Sequence, residues 1–438
     1  MLQDSTPTSI SSRVYLGTFT NDERKRRESA LRNKDFFYGR QEQYLSILNS
    51  DVDPITINMV NPIVTKKSSL LYNRPLVRVF DGPSTSVSYL EGLYSQIKID
   101  TILKKADLCA ELTGTSLVYV GMYEDGSIYL IVYDASDFTP ISNDVENKVL
   151  EAVSLVTIRN DFIDKGGNIE VQRILDTEIW TNNYIYNYVG SLEKQSSPNE
   201  LGYIPFVAFK GQEVNNQYLG HSPTTSLRQL NHYLNQTLTN LGYMIKMQSA
   251  TPIVLTGFSN GEAVSVHPGT AISLPAGSTA EALNLSPKIM ETMELIKYLE
   301  EKTYETSCVP KISIVGNMGA ASSGVELMIK WAPLISVFKE KSVRFQNYEF
   351  ELANMILSVA GLDAIDDVKV LYPEENLLPI DPSRELLETD IKLGIRTPVD
   401  EVIKLNPNLT ESDAEAEVLA NIGFNNQFNG GSGVRTNE

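Results

Sequence analysis

Hydrophobic and polar positions change rhythm three times along the chain, and each change marks a new kind of element. Up to about residue 113 the rhythm is helical. ERKRRESALRNKDFFYGRQEQYLSIL (23–48) reads as a helix whose face holds Leu31, Phe36, Phe37, Tyr38, Tyr44 and Leu45, with Gly39 as a break. NMVNPIVTKKSSLLYNRPLVRVF (58–80) starts a helix near Asn61-Pro62, where proline suits a first turn. That helix stops before Asn73-Arg74-Pro75, and LVRVF reads as a short strand. YLEGLYSQI and DTILKKADLCAELTG, within 84–113, are two more helical segments.

Alternation then takes over. SLVYVGMYEDGSIYLIVYDASDFTPI (116–141) reads as a β-hairpin turning at Glu124-Asp125-Gly126. Strands continue through KVLEAVSLVTIRND, NIEVQRILDTEIWTNN and YIYNYVG to YIPFVAFKG at 203–211. This half is α+β, helices first and then a mostly antiparallel sheet. At Ser222 the helical rhythm returns. SPTTSLRQLNHYLNQTLTNLGYMIKMQSA (222–250) is one long helix, capped by Ser222 ahead of Pro223. Leu227, Leu230, Leu234, Leu238 and Leu241 form a narrow stripe, and the remaining faces are Asn, Gln and Thr. Such a helix is roughly 40 Å long and needs neighbours along its whole length. Copies of the same chain can supply them.

Residues 251–287 read as β, in TPIVLTGF and AVSVHPGTAISLP, followed by turn residues. SPKIMETMELIKYLEEKTYETS (286–307) is a second long helix with Ile289, Met293, Ile296 and Leu299 on one side. The order is that of a helical hairpin with strands at its tip. SGVELMIKWAPLISVFKEKSVRFQNYEFELANMILSVAG (323–361) is helical, with a kink or break expected at Pro333. The tail at 363–422 is acidic and reads as short helices, with starts at Thr397-Pro398 and Thr410-Glu411 and a break at Asn406-Pro407. GFNNQFNGGSGVRTNE, rich in Gly and Asn, reads as disordered.

Composition narrows the class. With 42% hydrophobic and 21% charged residues the chain can bury a core. No apolar run approaches the ~18–20 residues of a membrane span. The start, MLQDSTPTSISS, lacks the pattern of a signal peptide, so a soluble, cytosolic protein is expected. Cys109 and Cys308 give no disulfide framework and fit a reducing compartment. The net charge of −18 disfavours tight nucleic-acid binding, which needs Lys and Arg facing phosphates. Segment 24–40 is the basic exception: either a nucleic-acid contact or, as the overall charge favours, a helix face pairing with acidic neighbours in an assembly. His221, His232 and His267 have no i, i+4 partner among themselves, and no metal site is expected.

One stretch invites a chemical reading. In GNMGAASSGVELMIKW (316–331), Gly319 and Gly324 have the spacing of a phosphate-binding loop. Such a loop ends in Lys and Ser or Thr, because the lysine reaches the phosphates and the hydroxyl holds Mg²⁺. Here Gly324 is followed by Val325-Glu326, and a carboxylate there repels the ligand. Neither a dinucleotide fingerprint, a nucleophile elbow, H-E-x-x-H nor C-x-x-C occurs. No catalytic residues and no cofactor are expected. A nucleotide-binding enzyme built on 316–331 is the alternative, and it predicts ATP binding that Gly324→Val abolishes. Small residues at 319–324 also suit a loop that moves, or that lies against a passing surface.

The order of these parts resembles the portal proteins of tailed double-stranded DNA bacteriophages, of the long, non-contractile-tail type, over about residues 24–425. DFFYGRQEQYL is similar to the family's aromatic segment, and NMVNPIVTKKSSLLYNRPLVRVF to its helix and turn, with Arg74 where the family has Gly. The helix, β insert and helix of 222–307 look like a stem and clip. VGNMGAASSGVELMIKW looks like the glycine-rich tunnel-loop segment, and LLETDIKLGIRTPVDEVIKLNPNLTESDAEAEVLANI like the family's carboxy-terminal segment.

The resemblance implies an α+β portal fold. A flexible arm covers 1–22 and a wing 23–221. Stem helices lie at 222–250 and 288–308 around a clip at 251–287. A tunnel-loop region covers 309–331, a long kinked helix 332–362, an acidic helical crown 363–424 and a disordered tail 425–438. It implies a homo-oligomeric ring of about twelve subunits at one capsid vertex. Double-stranded DNA passes through this ring without sequence specificity in packaging and ejection. The implied partners are the terminase large subunit, a head-tail adaptor, and the major capsid and scaffold proteins. No enzymatic activity and no membrane contact are implied, and another virion structural component is the further alternative. Assembly takes place in the host bacterial cytoplasm. Gly316, Asn317, Met318, Gly319, Ser322, Ser323 and Gly324 are the expected channel loop. Lys246, Lys288, Lys297, Lys302 and Lys330 are candidates to face DNA, with solvated or intersubunit lysines as the plainer reading. Leu230, Leu234, Leu238, Leu241, Ile289, Met293 and Ile296 are the expected subunit-packing stripe.

Overall fold

The computed structural model describes residues 21–46, 53–142, 150–165, 168–189, 192–215, 217–249, 253–256, 277, 279–282, 289–311, 324–373, 391, 397–406 and 409–429. The chain divides into two compact units. One holds Met1–Met318 with Ala332–Pro373, and the other Gly319–Trp331 with Glu374–Glu438.

The first unit opens with helix α1 (Asn21–Phe37), which ends at Gly39 in a left-handed conformation. Phe36, Phe37 and Leu45 are buried as an inner face, but Leu31 and Tyr38 are 51% and 60% exposed and lie off it. Several of the α1 cations have partners within the chain. Arg26 and Arg27 clasp Glu23, and Lys34 reaches Asp134 at 2.7 Å. Helix α2 (Val60–Ser68), strand β1 (Val77–Asp81) and helices α3 (Ser84–Ile97) and α4 (Ile99–Thr113) follow. Lys98, at φ 53°, makes the corner between α3 and α4.

Helix α4 is central, touching α1, α2 and the first sheet. That sheet is antiparallel, in the order β3-β2-β9, from β2 (Thr115–Met122), β3 (Ile128–Asp134) and β9 (Phe206–Lys210). The β2–β3 hairpin turns where Glu124-Asp125-Gly126 placed it, with Gly126 at φ 82°. A second antiparallel sheet runs in chain order through β4 (Phe138–Ser142), β5 (Leu150–Lys165), β6 (Asn168–Thr181), β7 (Tyr184–Val189) and β8 (Leu192–Pro198). The last of these, LEKQSSP, carries no apolar alternation and was not expected as a strand. Leu117, Phe138, Val153, Leu155, Trp180 and Phe206 join the two sheets in one apolar cluster.

Helix α5 (Thr224–Ser249) and helix α6 (Ile289–Ser307) pack along one another. Between them β10 (Ile253–Thr256) pairs antiparallel with β11 (Thr279–Ala282). β11 falls where turn residues were expected, and 263–275, expected as β, lies outside the described residues. Helix α7 (Gly324–Ala360) begins eight residues before 332 and runs through Pro333 without a break. Pro333 is exposed, so the carbonyl it leaves unbonded faces water.

The segment after α7 departs from an acidic helical tail. DVKVL forms β12 (Asp367–Leu371), which pairs with β1 from Val77↔Leu371 to Asp81↔Asp367. Val368 and Val370 alternate inward at 1% and 5% exposure, and this apolar alternation outweighs the acidic surroundings. Residues 363–373 therefore belong to the first unit.

In the second unit, helix α8 (Pro398–Leu405) starts with a capping box. The Thr397 hydroxyl accepts from the Asp400 N–H, and the Asp400 carboxylate accepts from the Thr397 N–H. Helix α9 (Glu411–Asn429) starts at Thr410 as expected, touches α8, and extends past 424 into the stretch read as disordered.

Three glycines fix where α5 leaves the first sheet. Gly114 ends α4 at φ 93°, Gly211 follows β9, and Gly220 precedes α5. The Gly211 N–H donates to the Gly114 carbonyl at 2.9 Å. A Cβ on Gly220 meets the Gln212 and Gly114 carbonyl oxygens at 2.6 and 2.7 Å, and one on Gly211 meets the Ala110 carbonyl at 2.5 Å. All of these are backbone oxygens and cannot swing aside. Gly220→Ala is expected to cost about 1–3 kcal/mol, as overpacking does, read as a lowered denaturant midpoint. Gly92→Ala, within α3, is the comparison, because no atom lies within 4 Å of a Cβ there and its φ is not in the left-handed region.

Candidate functional site: a buried ionic hub at the root of two long helices

Glu111 lies in the last turn of α4, almost wholly buried. Its carboxylate accepts from Lys341 Nζ of α7 at 3.1 Å and lies 3.3 Å from Lys67 Nζ of α2. Its carbonyl oxygen accepts from the hydroxyls of Ser222 and Thr224, where α5 begins, at 2.9 and 2.7 Å. One residue therefore ties four helices. Ser222 also accepts from the Thr224 N–H at 3.2 Å, which is the expected cap.

Lys341 is 2% exposed and completes the hub. Besides Glu111, it lies 2.6 Å from Asp107 Oδ1, donates to the Lys67 carbonyl at 3.1 Å, and sits over the Phe345 ring. Two ammonium groups thus face two carboxylates. The carboxylates differ. Burial pushes Glu111 up, but Lys67 and Lys341 outweigh it and hold the carboxyl below its ordinary range. Burial also pushes Asp107 up, Lys341 offsets this only in part, and Glu111 adds to it. Asp107 faces Lys341 alone, whereas Glu111 faces both lysines, which makes Asp107 the weaker acid.

A cavity of about 190 Å³ adjoins the hub. It is lined by Lys67, Glu111, Lys341 and Arg344, by the start of α5, and by the end of α6 at Ser307 and Cys308. Arg344 donates to the Gly211 carbonyl at 2.7 Å, which links α7 to the glycine crossing. One turn on, Glu349 accepts from Arg78 and from the Tyr72 and Tyr372 hydroxyls, which fixes β1 and β12 to α7.

The Asn and Thr positions of α5 have a structural use that the sequence reading did not find. Asn231, Asn235 and Thr239 follow one another at four-residue spacing and accept from the N–H groups of Met59, Ile57 and Ile55. Asn231 also donates to the Ile57 carbonyl at 2.8 Å, and Asn235 to Gln41. An extended strap at 55–59 thus lies on α5 with side chains in place of a neighbouring strand. The i, i+4, i+8 spacing of Asn, Asn and Thr was the available signal.

The expected subunit-packing residues divide. Leu234 is 2% exposed and belongs to the chain's own core, while Leu230, Leu238, Leu241, Ile289 and Ile296 are half-buried. Met293 is 43% exposed, and Met290, Tyr298, Tyr233 and Ile245 are 68%, 54%, 56% and 50% exposed. Lys246, Lys297 and Lys330 are exposed. Lys302 contacts Glu305 at 2.5 Å and sits over the Tyr298 ring. Lys288 and Gly316–Ser323 lie outside the described residues, and Gly324 is the first residue of α7. Among the described residues no group of three or more His, Cys, Asp or Glu could hold a metal ion, and no helix is long and apolar enough to cross a membrane.

The chain matches the family described as "Phage portal protein, SPP1 Gp6-like" over residues 18–419. None of the curated proteins matches it. Solved structures similar to it include chains of the virion of a native gene transfer agent (GTA) particle, at 11% identity and TM-score 0.45, covering 79% of this chain and 89% of that one. The neck of an empty GTA particle computed with C6 symmetry gives 10% and 0.49, covering 79% and 89%. The neck of a native GTA particle computed with C12 symmetry gives 11% and 0.46, covering 79% and 90%.

Two outcomes test the hub. Lys341→Met leaves two buried carboxylates facing one lysine and is expected to cost about 3–5 kcal/mol in denaturant unfolding. For Asp107 the folded pKa is raised above the unfolded value, so the folded state keeps a proton that the unfolded chain releases. Its contribution to stability is fully present below pH 3.8 and is lost as pH rises to about 7. In Asp107→Asn that loss is expected to vanish, so the stability of the variant relative to wild type rises across the same window. Chemical denaturation at stepped pH measures this.

Proposed function

The chain belongs to the SPP1 Gp6-like family of phage portal proteins, and from that premise we propose that it works as a non-enzymatic conduit. In this reading about twelve copies close into a ring at one capsid vertex. Double-stranded DNA slides through the ring during packaging and ejection. The terminase large subunit docks on the clip at 251–287 and is later replaced by a head-tail adaptor. Scaffold and major capsid proteins meet the ring during assembly, and the parent particle is of the long-tailed type. The segment Gly316–Gly324 is the channel loop in this reading, and Lys246, Lys288, Lys297, Lys302 and Lys330 supply weak phosphate contacts.

The observation that carries the proposal is the outer surface of the α5–α6 pair. Met290, Met293 and Tyr298 on α6, and Tyr233 and Ile245 on α5, are all more than 40% exposed. Large apolar side chains along two long helices are the mark of a surface made to be covered. A heterologous contact between copies covers it, and rotation about one axis closes such contacts into a ring. The net charge of −18 fits a channel that must not grip a polyanion.

Met290→Glu with Tyr298→Glu tests the interface. Each places a charge where about 2 kcal/mol of apolar burial is expected. Sedimentation should show the ring reduced to folded monomers, with an unchanged circular dichroism spectrum. Rings that survive both substitutions remove α6 from the interface. Gly319→Trp tests the loop: it should leave rings intact and stop DNA packaging, and normal packaging takes the loop out of the channel.

A further inference from the structure

The first sheet ends at β9, which pairs with β2 alone. The Val120 N–H donates to the Pro205 carbonyl at 3.0 Å, and the Gly211 N–H to the Gly114 carbonyl at 2.9 Å. Along an antiparallel pair such bonded positions alternate with unbonded ones. With Val118↔Val207 and Ser116↔Phe209 in register, Pro205, Val207 and Phe209 bond toward β2. Phe206, Ala208 and Lys210 therefore point their N–H and C=O groups away from it. The Phe206 N–H turns to the Ile204 carbonyl at 2.9 Å, and the Lys210 N–H reaches the Tyr348 hydroxyl of α7. Among the described residues nothing bonds the Ala208 N–H or its carbonyl.

This edge opens on a groove of about 730 Å³ between β9 and α7. Phe206, Ala208 and Lys210 line it from the strand, and Phe350, Glu351 and Met355 from the helix. Tyr348, which also donates to Glu213 at 2.9 Å, ties α7 to β9 at the Lys210 end. An unpaired edge beside a helix, with a groove between, is a seat for one more strand. The backbone of the edge supplies pairing, and the groove takes alternate side chains. The charges say which kind of strand fits. Glu213 and Glu351 line the groove against Lys210, whose Nζ sits 5.6 Å over the Tyr218 ring. Two carboxylates against one ammonium favour an incoming cation.

We propose that the chain's own amino-terminal arm fills this groove, with residues 13–19 added to the edge of β9 and Arg13 facing Glu213 and Glu351. Residues 1–20 lie outside the described ones. Their sequence RVYLGTF alternates in strand fashion, Val14 and Leu16 against Tyr15 and Phe19, and Arg13 is the single basic residue of 1–20. The groove is within reach. The arm joins α1 at Asn21, and in the next turns of α1 Arg26 donates to the Phe138 carbonyl at 3.0 Å. Phe138 shares one apolar cluster with Ile204 and Phe206, which line the groove. The stretch from Arg13 to Asn21 spans up to ~26 Å when extended. Arm and groove belong to one unit of one chain, so the proposal stands whether or not the ring does.

Two experiments on the full-length protein test this. Hydrogen exchange, read by mass spectrometry with residue-level fragmentation, follows the Ala208 amide. It should exchange about tenfold faster in Arg13→Glu than in wild type, and Glu351→Arg added to Arg13→Glu should restore protection. Val14→Pro with Tyr15→Pro should also speed exchange, because adjacent prolines remove a pairing donor in either register. An Ala208 amide indifferent to either change overturns the proposal. All these arm substitutions lie outside the folded core, so loss of folding does not obscure the result. Disulfide trapping then identifies the chain. Val14→Cys, Leu16→Cys and Thr18→Cys are each combined with Ser358→Cys, which lines the groove, with Ser358→Cys alone as the blank. A bridge within one chain, running as a monomer on a denaturing gel, is expected from at least one pair. Covalent dimers assign the groove to a neighbour's arm and overturn the proposal, as does the absence of a bridge in all three.

Discussion

Taking four charges out of water costs more than their attraction returns unless each keeps hydrogen-bonding partners inside the protein. Around Glu111 two lysines and two carboxylates answer one another, and that pairing dictates where the surrounding helices lie. Lys67 must come from α2, Lys341 from α7, and the hydroxyls of Ser222 and Thr224 from the start of α5. None can move far without leaving a buried charge or a buried carbonyl unpaired. Asp107 is the member left short, held by Lys341 alone. Burial is what shifts its proton affinity upward, so the hub carries a residual sensitivity to pH.

The long helices inherit their direction from this hub. At the root of α5, three glycines let backbones cross where a Cβ would meet carbonyl oxygens closer than 2.8 Å. Further along, the strap at 55–59 holds α5 through Asn231, Asn235 and Thr239. The inner side of α5 is thus satisfied by polar bonds and by leucines such as Leu227 and Leu234. The outer side of the α5–α6 pair keeps its apolar residues uncovered. In the proposed ring this division gives each helix two tasks, fixed to its own subunit on one side and facing its neighbour on the other.

Much of the element order could be read from local pattern because its causes are local. The turn at Glu124-Asp125-Gly126, the cap at Thr397-Pro398 and the long helix after Ser222 need only near neighbours in the chain. The hub could not be read in this way. Lys341 sits in KEKSVRF, which looks like a solvated helix face, and its partner Glu111 is 230 residues away. DVKVL looked like part of an acidic tail because its partner strand, β1, precedes it by almost 290 residues. Leu234 was read as an intersubunit residue because a periodic stripe shows which positions are apolar, not which surface covers them.

The mass and shape of the purified protein test the conduit most directly, by light scattering together with negative-stain microscopy. The account predicts ring-shaped particles with a central hole, about twelve times the chain mass of 48.7 kDa. A stable, folded monomer of 48.7 kDa, at all concentrations and with its α6 face open to solvent, contradicts it.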